Sequence, residues 1–235
     1  MDDSLAQYDE TASTGAFTLQ NSKLLKVSLR DVTIQAKLGA MVAYQGDVKF
    51  EHAGQGGMSR MLKKAVTGEG QSLMKISGSG EVFLAETAQE IHVIELENDK
   101  VTVNGENLLA FDAGIDWSIE RMQGASGIMG GGLYNTALSG TGSVAIVSDG
   151  PPVRLDVGSA PTFADPQAAI TWSSGVTTSI KTDVSMKNLI GRGSGESVQM
   201  AFGGQGWVLV QPSEGRPVPV AAGGASGGLG GLLKG

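Results

Sequence analysis

Apolar and polar positions alternate over long stretches of this chain, a pattern typical of β-strands with one buried face. The first clear case is the segment 24–30, in which three apolar residues alternate with polar or charged neighbours. Residues 32–34 continue the pattern. The segment 41–50 then predicts a strand, a turn at Gln45-Gly46 and a second strand.

This strand–turn–strand block returns twice. Residues 107–119 and 168–180 repeat it, with glycine turns at Asp112–Gly114 and Ser173–Gly175. An aromatic residue closes the first strand of each block, and the spacings between these residues are 67 and 61. The three aromatic residues are Tyr44, Phe111 and Trp172.

A second marker repeats with a similar period. Two glycines separated by one residue open an apolar strand in the segments 76–84, 138–146 and 202–210, and the first glycines lie 62 and 64 residues apart. Two markers recurring in the same order indicate three copies of one supersecondary unit. The repeated structural glycines are Gly78, Gly80, Gly140, Gly142, Gly204 and Gly206.

The two markers predict an all-β chain of three repeated units. The boundaries fall at 16–86, 87–149 and 150–212, and we call these segments the first, second and third unit. Residues 1–15 are polar and aperiodic, which predicts a flexible arm. Residues 213–235 are rich in glycine and proline and predict a flexible tail.

Composition narrows the class of protein. The 235 residues include 36 glycines, which suits many short strands and tight turns. The net charge of −7 argues against a nucleic-acid-binding surface, which requires basic residues. In addition, none of the tryptophans has Lys or Arg within two residues to support base stacking. The absence of cysteine excludes disulfides and thiolate zinc sites. The acidic start and the lack of a long apolar run predict a cytoplasmic protein.

Candidate chemistry is sparse. The glycine pairs open strands rather than helices, so they predict close backbone approach or a β-bulge instead of a phosphate site. His52 and His92 have no neighbouring metal-ligand partner in the sequence. Asp112, Asp116 and Glu120 form the densest carboxylate set, and strand alternation predicts that Asp116 and Glu120 share a solvated face with Ser118. We therefore expect no catalytic residue, metal or cofactor.

The inserts between the paired strands are the candidate interaction surface. The first insert has apolar residues at helical spacing between glycines, which predicts a short amphipathic helix, and methionines occupy matching places in the other two inserts. Alternatively, each insert caps its own unit and buries its methionines; weak contact with anionic lipid is a third reading. The predicted interaction rim is Met58, Met61, Leu62, Lys63, Lys64, Met122, Met129 and Met186.

Over roughly residues 15–212 the chain resembles bacterial members of the family named for altered inheritance of mitochondria, formerly a domain of unknown function. The resemblance rests on the aromatic–glycine blocks, the glycine-rich insert ending at Thr67–Gly70 and the three glycine-pair strands. It implies three similar β-sandwich repeats in pseudo-threefold arrangement, related to the subunit of the tryptophan RNA-binding attenuation protein. It implies no settled activity. Mitochondrial members are linked to inner-membrane organisation, but an Arg-rich transit segment is missing here.

Two functional hypotheses remain. The first is a non-enzymatic scaffold or protein-interaction module that is oligomeric or binds a protein partner, because exposed apolar rims usually mark association sites. The second is a small-molecule binder or enzyme with a site at a repeat junction, where concave apolar pockets form.

Overall fold

The computed structural model describes residues 3–30, 32–52, 72–121, 134–182 and 198–214, and their regular structure is almost entirely antiparallel β. The predicted all-β class is confirmed. Short 3-10 helices occur at Asp3–Tyr8 and Gly105–Asn107, while the inserts predicted to hold helices lie outside the described residues. The strands are β1 (Phe17–Asn21), β2 (Leu24–Ser28), β3 (Ile34–Lys37), β4 (Met41–His52), β5 (Leu73–Leu84), β6 (Glu90–Asn104), β7 (Leu108–Asp112), β8 (Asp116–Arg121), β9 (Tyr134–Ser148), β10 (Val153–Asp156), β11 (Thr162–Ala164), β12 (Ala169–Ser173), β13 (Val176–Thr182), β14 (Val198–Gly204) and β15 (Trp207–Val210).

The strands form two hydrogen-bonded sheets within the described residues. The larger has the order β1-β2-β5-β3-β7-β9-β6-β12-β15-β10, with β4 added on β5 and β8 added on β9. The smaller has the order β11-β14-β13. All the pairings among the described strands are antiparallel, and several join strands that are not successive in the sequence, such as β3 with β7 and β6 with β12.

One pairing pattern occurs three times. Each strand segment that carries a marker aromatic pairs with the end of a glycine-pair strand, and the aromatic lies opposite the valine two positions after the second glycine. The register slips by one residue shortly before each aromatic, at Met41/Ala43, Leu108/Ala110 and Ala169/Thr171. The aromatic–valine pairs are Tyr44–Val82, Phe111–Val144 and Trp172–Val208.

Two of the three predicted turns are present. The chain turns at residues 113–115 and 174–175, between β7 and β8 and between β12 and β13. The turn predicted at Gln45-Gly46 is wrong, because β4 runs through it as one strand paired with β5. Gly46 has a φ of +95° and lies opposite Gly80, so the ladder accommodates an unusual backbone conformation without reversing direction.

The buried apolar residues form three clusters that follow the chain, and the first two clusters include residues from a neighbouring unit. The first is built mainly from the first unit but includes Leu109 of β7 and Val147 of β9. The second includes Leu73 of β5 and Ile170 of β12. The third lies in the third unit and centres on Trp172. Burial of side chains from one unit in the core of the next fixes consecutive units against each other.

Two polar arrangements connect the N-terminal segment and the residue after β15 to the rest of the fold. Lys26 is buried in β2, where its Nζ contacts Glu10 Oε2 at 3.1 Å, the carbonyl of Thr11 at 2.9 Å and Glu81 Oε1 at 3.8 Å. The N-terminal segment therefore covers the polar face of β2. A buried lysine needs such partners because removing its charge from water costs free energy that ion pairs and hydrogen bonds must offset.

At the other end, Gln211 follows β15 and is buried. Its Oε1 accepts a 2.9 Å hydrogen bond from the backbone N–H of Asp149, and its Nε2 donates to the carbonyl of Gln167 at 3.1 Å. The amide of Asn107 reaches the same Oε1 at 3.4 Å. One side chain thus joins the second unit to the third.

Candidate interaction surface

The predicted interaction rim lies outside the described residues. All eight of its members fall in the segments 53–71, 122–133 and 183–197. The rim therefore stays a prediction.

Backbone conformation or close packing distinguishes each of the six repeated glycines. Five of them have positive φ values between +93° and +145°, the exception being Gly80. A Cβ added at Gly78 or Gly80 would overlap a backbone carbonyl of the paired strand β4, and one added at Gly204 would overlap the carbonyl of Gly175 in the turn before β13. The backbone segments can keep this spacing only because a side chain is absent at these positions.

The described histidine side chain is that of His92, which is half-buried in β6. The hydroxyl of Ser148 donates to the carbonyl of Gly150 at 2.7 Å, so it accepts from the Nε2–H of His92 at 2.8 Å. Burial lowers the pKa of His92 below its ordinary value of 6.5, while the charge of Glu90 works in the opposite direction. We interpret this hydrogen bond as structural. None of the described hydrogen bonds of the His92 ring is made to a carboxylate.

The carboxylates of the second unit do not converge. Asp116 and Glu120 are exposed on β8 together with Ser118, as the alternation predicts, and Glu120 lies 3.6 Å from the Nζ of Lys100. Asp112 instead turns toward the backbone of Ser143. No group of three or more potential metal-ligating side chains occurs within the described ranges.

Two of the tryptophans pack edge-to-face against another aromatic ring. Trp117 lies against Phe111 with ring centroids 6.2 Å apart, and Trp172 lies against Phe202 at 5.9 Å. Trp207 has the guanidinium of Arg154 over its ring at 5.9 Å. That cation comes from the paired strand β10, so counting neighbours along the sequence could not reveal it.

An exposed apolar edge lies on β4. Val42, Ala43, Tyr44 and Gln45 are all exposed, and we call these four residues the β4 edge. Val42 retains 58% and Tyr44 50% of its accessible surface, and the Tyr44 ring packs edge-to-face against exposed Phe50 at 5.3 Å. Sequence reasoning missed this surface, because Tyr44 has the same local pattern as its two buried counterparts.

The corresponding residues in the other two units are covered. The matching register slips place Leu109 and Ile170 in the position of Val42, and both are completely buried. Phe111 and Trp172 occupy the position of Tyr44 and are also buried. In both units a further strand pairs with this edge, β3 with β7 and β6 with β12. In the part of the chain that the structure describes, β4 pairs with β5 alone.

No helix among the described residues is long and apolar enough to cross a membrane. The sequence matches no curated protein. Its fold is similar to the crystal structure of protein SPYM3_0169 from Streptococcus pyogenes, with a TM-score of 0.67, 21% sequence identity, and coverage of 84% of this chain and 92% of that one. At this identity the similarity establishes the fold alone. The sequence also matches the family described as "Mitochondrial biogenesis AIM24" over residues 17–213. The match spans all of the described strands, and the chain belongs to the AIM24 family.

Proposed function

We propose that this protein is a non-enzymatic scaffold or protein-interaction module, and that the β4 edge is its contact surface. The observation that carries the proposal is the contrast between equivalent positions: Val42 and Tyr44 are about half exposed, whereas their counterparts in the second and third units are buried under another strand. A β-strand with apolar side chains and free backbone groups is a template for pairing with another chain.

We propose that the scaffold is a bacterial protein built from three copies of one β-sandwich unit in pseudo-threefold arrangement. Its fold would be related to that of the subunit of the tryptophan RNA-binding attenuation protein. The three aromatic–valine pairs and the three matching register slips support the copying. Closing the threefold within one chain would require a third junction between β11 and β4, and these strands do not pair in the described part of the chain, so the arrangement is open at this point.

The alternative, a ligand or catalytic site at a repeat junction, has less support. At the two formed junctions the strands of adjacent units pair directly, and the side chains there are largely buried. Thr171, for example, uses its hydroxyl to bond the carbonyl of Thr102 across the second junction at 2.9 Å. Backbone pairing and packed side chains occupy the space that a ligand would need.

A surface substitution tests the interaction function. The variant Val42→Ser/Tyr44→Ser removes the apolar side chains of the β4 edge without touching a core cluster, and Val153→Ser is the matched control because Val153 is 60% exposed on β10. Association is followed by sedimentation velocity of the purified protein and by quantitative affinity capture from cells of the source organism.

We expect the double variant to lose association and the control to keep it. If wild type, double variant and control associate equally while circular dichroism shows intact folds, the β4 edge is not a contact surface and the proposal is wrong.

A further inference from the structure

We propose that β11 of one copy of this chain pairs antiparallel with the β4 edge of a second copy, with Phe163 opposite Tyr44. The chain would then associate head to tail. This proposal rests on the β4 edge being the contact surface and specifies its partner, the partner strand and the register.

The two junctions inside the chain define the geometry. At the first, β3 pairs with β7 and places Gln35 opposite Phe111. At the second, the end of β6 pairs with β12 and places Thr102 opposite Trp172. In both cases a strand of one unit covers the outer edge of the aromatic-bearing strand of the next unit, and that aromatic residue is buried.

The strand β11 occupies in the third unit the place that β3 and β6, the two covering strands, occupy in the first and second units. Gln35, Thr102 and Phe163 each lie opposite the residue three positions before the first glycine of their own unit. Those opposite residues are Lys75, Ala137 and Ala201. β3 and β6 each use their second edge to reach the next unit, whereas β11 pairs with β14 alone within the described residues. Phe163 is correspondingly exposed, at 44%.

The β4 edge occupies in the first unit the place that the covered strands β7 and β12 occupy in the second and third units. Its aromatic residue has the same valine partner and the same preceding register slip as Phe111 and Trp172. Joining the free covering strand to the free covered strand in the register of the existing junctions puts Phe163 opposite Tyr44 and Ala164 opposite Ala43. Two half-exposed aromatic rings would cover each other, and aromatic cross-strand pairs stabilise antiparallel sheets.

The occupant we infer is a second copy of the chain, because both open edges belong to the same chain and do not pair with each other among the residues that the structure describes. Contact between two different surfaces of identical chains is heterologous, so it produces closed rings or open filaments rather than an isolated twofold dimer.

Disulfide trapping tests this pairing directly, because the wild-type chain contains no cysteine. Residues directly opposite each other in an antiparallel pair have Cα atoms about 4.5–5.5 Å apart, within the range that a disulfide spans. Two single variants, Ala43→Cys and Ala164→Cys, are purified, mixed and oxidised. We expect a species of twice the 24.1 kDa chain mass in the mixture and none from either variant alone.

The combination of Ala43→Cys with Val153→Cys is the control, since Val153 lies on a different exposed edge. A double variant Ala43→Cys/Ala164→Cys should give a ladder of cross-linked multimers. If that variant links only within one chain, or if the mixture of folded single variants gives no dimer above the control, the proposal is overturned.

The substitution Phe163→Lys separates this proposal from the more general one. It should weaken self-association about tenfold or more in sedimentation equilibrium. If Phe163→Lys leaves all association intact while Val42→Ser/Tyr44→Ser abolishes it, the β4 edge binds another protein, and head-to-tail pairing is excluded although the interaction function stands.

Discussion

The carboxylate of Asp112 lies directly against Gly142, and its Oδ2 accepts a 2.7 Å hydrogen bond from the backbone N–H of Ser143. A Cβ at Gly142 would come within 2.7 Å of that oxygen, and the φ of Gly142 is +145°, which L residues rarely adopt. The glycine therefore permits both the backbone conformation of β9 and the approach of the carboxylate.

Gly142→Ala should lower the free energy of unfolding by about 2–3 kcal/mol, from backbone strain and displacement of Asp112. The control is Gly114→Ala, a turn position with no atom within 4 Å of an added Cβ, which should change stability by less than about 0.5 kcal/mol. Urea denaturation of both variants measures the difference. Equal stability of the two variants would show that the close approach at Gly142 is not needed.

The buried charge of Lys26 gives a second prediction. The double variant Glu10→Ala/Glu81→Ala leaves the ammonium without its carboxylates and should cost about 2 kcal/mol; the partial exposure of both carboxylates limits the loss. The single variant Lys26→Met removes the buried charge itself, so it should lower the free energy of unfolding less than the double variant does. Glu51→Ala, which breaks an exposed pair with Lys75 at 4.0 Å, is the control and should have almost no effect. A double variant as stable as the control would contradict the interpretation.

The half-buried ring of His92 makes the stability of the fold depend on pH. Because burial lowers the pKa of His92 in the folded state, the unfolded chain binds more protons just below pH 6.5, and protonation favours unfolding. The contribution of this residue is fully present above pH 6.5 and is lost as the pH falls through the folded-state pKa. Wild type should therefore lose more stability between pH 7 and pH 5 than His92→Gln, as measured by denaturant midpoints. Parallel curves for the two proteins would refute the assignment.

The hydrogen bonds of Gln211 give a fourth prediction. Gln211→Ala leaves the backbone N–H of Asp149 and the carbonyl of Gln167 without this partner, which should cost about 2 kcal/mol. The control Gln7→Ala removes an exposed glutamine and should cost less than about 0.5 kcal/mol. Thermal unfolding followed by circular dichroism compares them, and a Gln211→Ala midpoint equal to that of Gln7→Ala would exclude a structural role for the contact.

Much of the strand pattern could be predicted because alternation and glycine turns are local signals. The strands around Phe111 and Trp172 and the turns that follow them occur as predicted. The turn at Gln45-Gly46 does not, because Gly46 meets Gly80 across the ladder and the pair allows continuous pairing. Whether a glycine reverses the chain or lies within a strand depends on the residue opposite, which a single strand does not specify.

The candidate surface was less predictable than the fold. Tyr44, Phe111 and Trp172 share one local pattern, yet only Tyr44 is exposed, because burial at this position comes from a strand of another unit. The burial of Lys26 likewise depends on Glu10, sixteen residues away in sequence. Both features arise from contacts between distant segments, and alternation along a strand carries no information about them.

β6 is a single strand from Glu90 to Asn104 that is hydrogen-bonded to β9 along most of its length and to β12 near its end. Separation of β6 from β9 would remove support from the third unit at the same time, whereas short edge strands such as β1 and β10 can fray without disturbing the centre. Partial unfolding should therefore start at the periphery and move inward. Cleavage by a protease within β6 would disrupt the pairing with both β9 and β12 and should lead to unfolding and further degradation. Cleavage in β1 or β10 should leave the central strands folded.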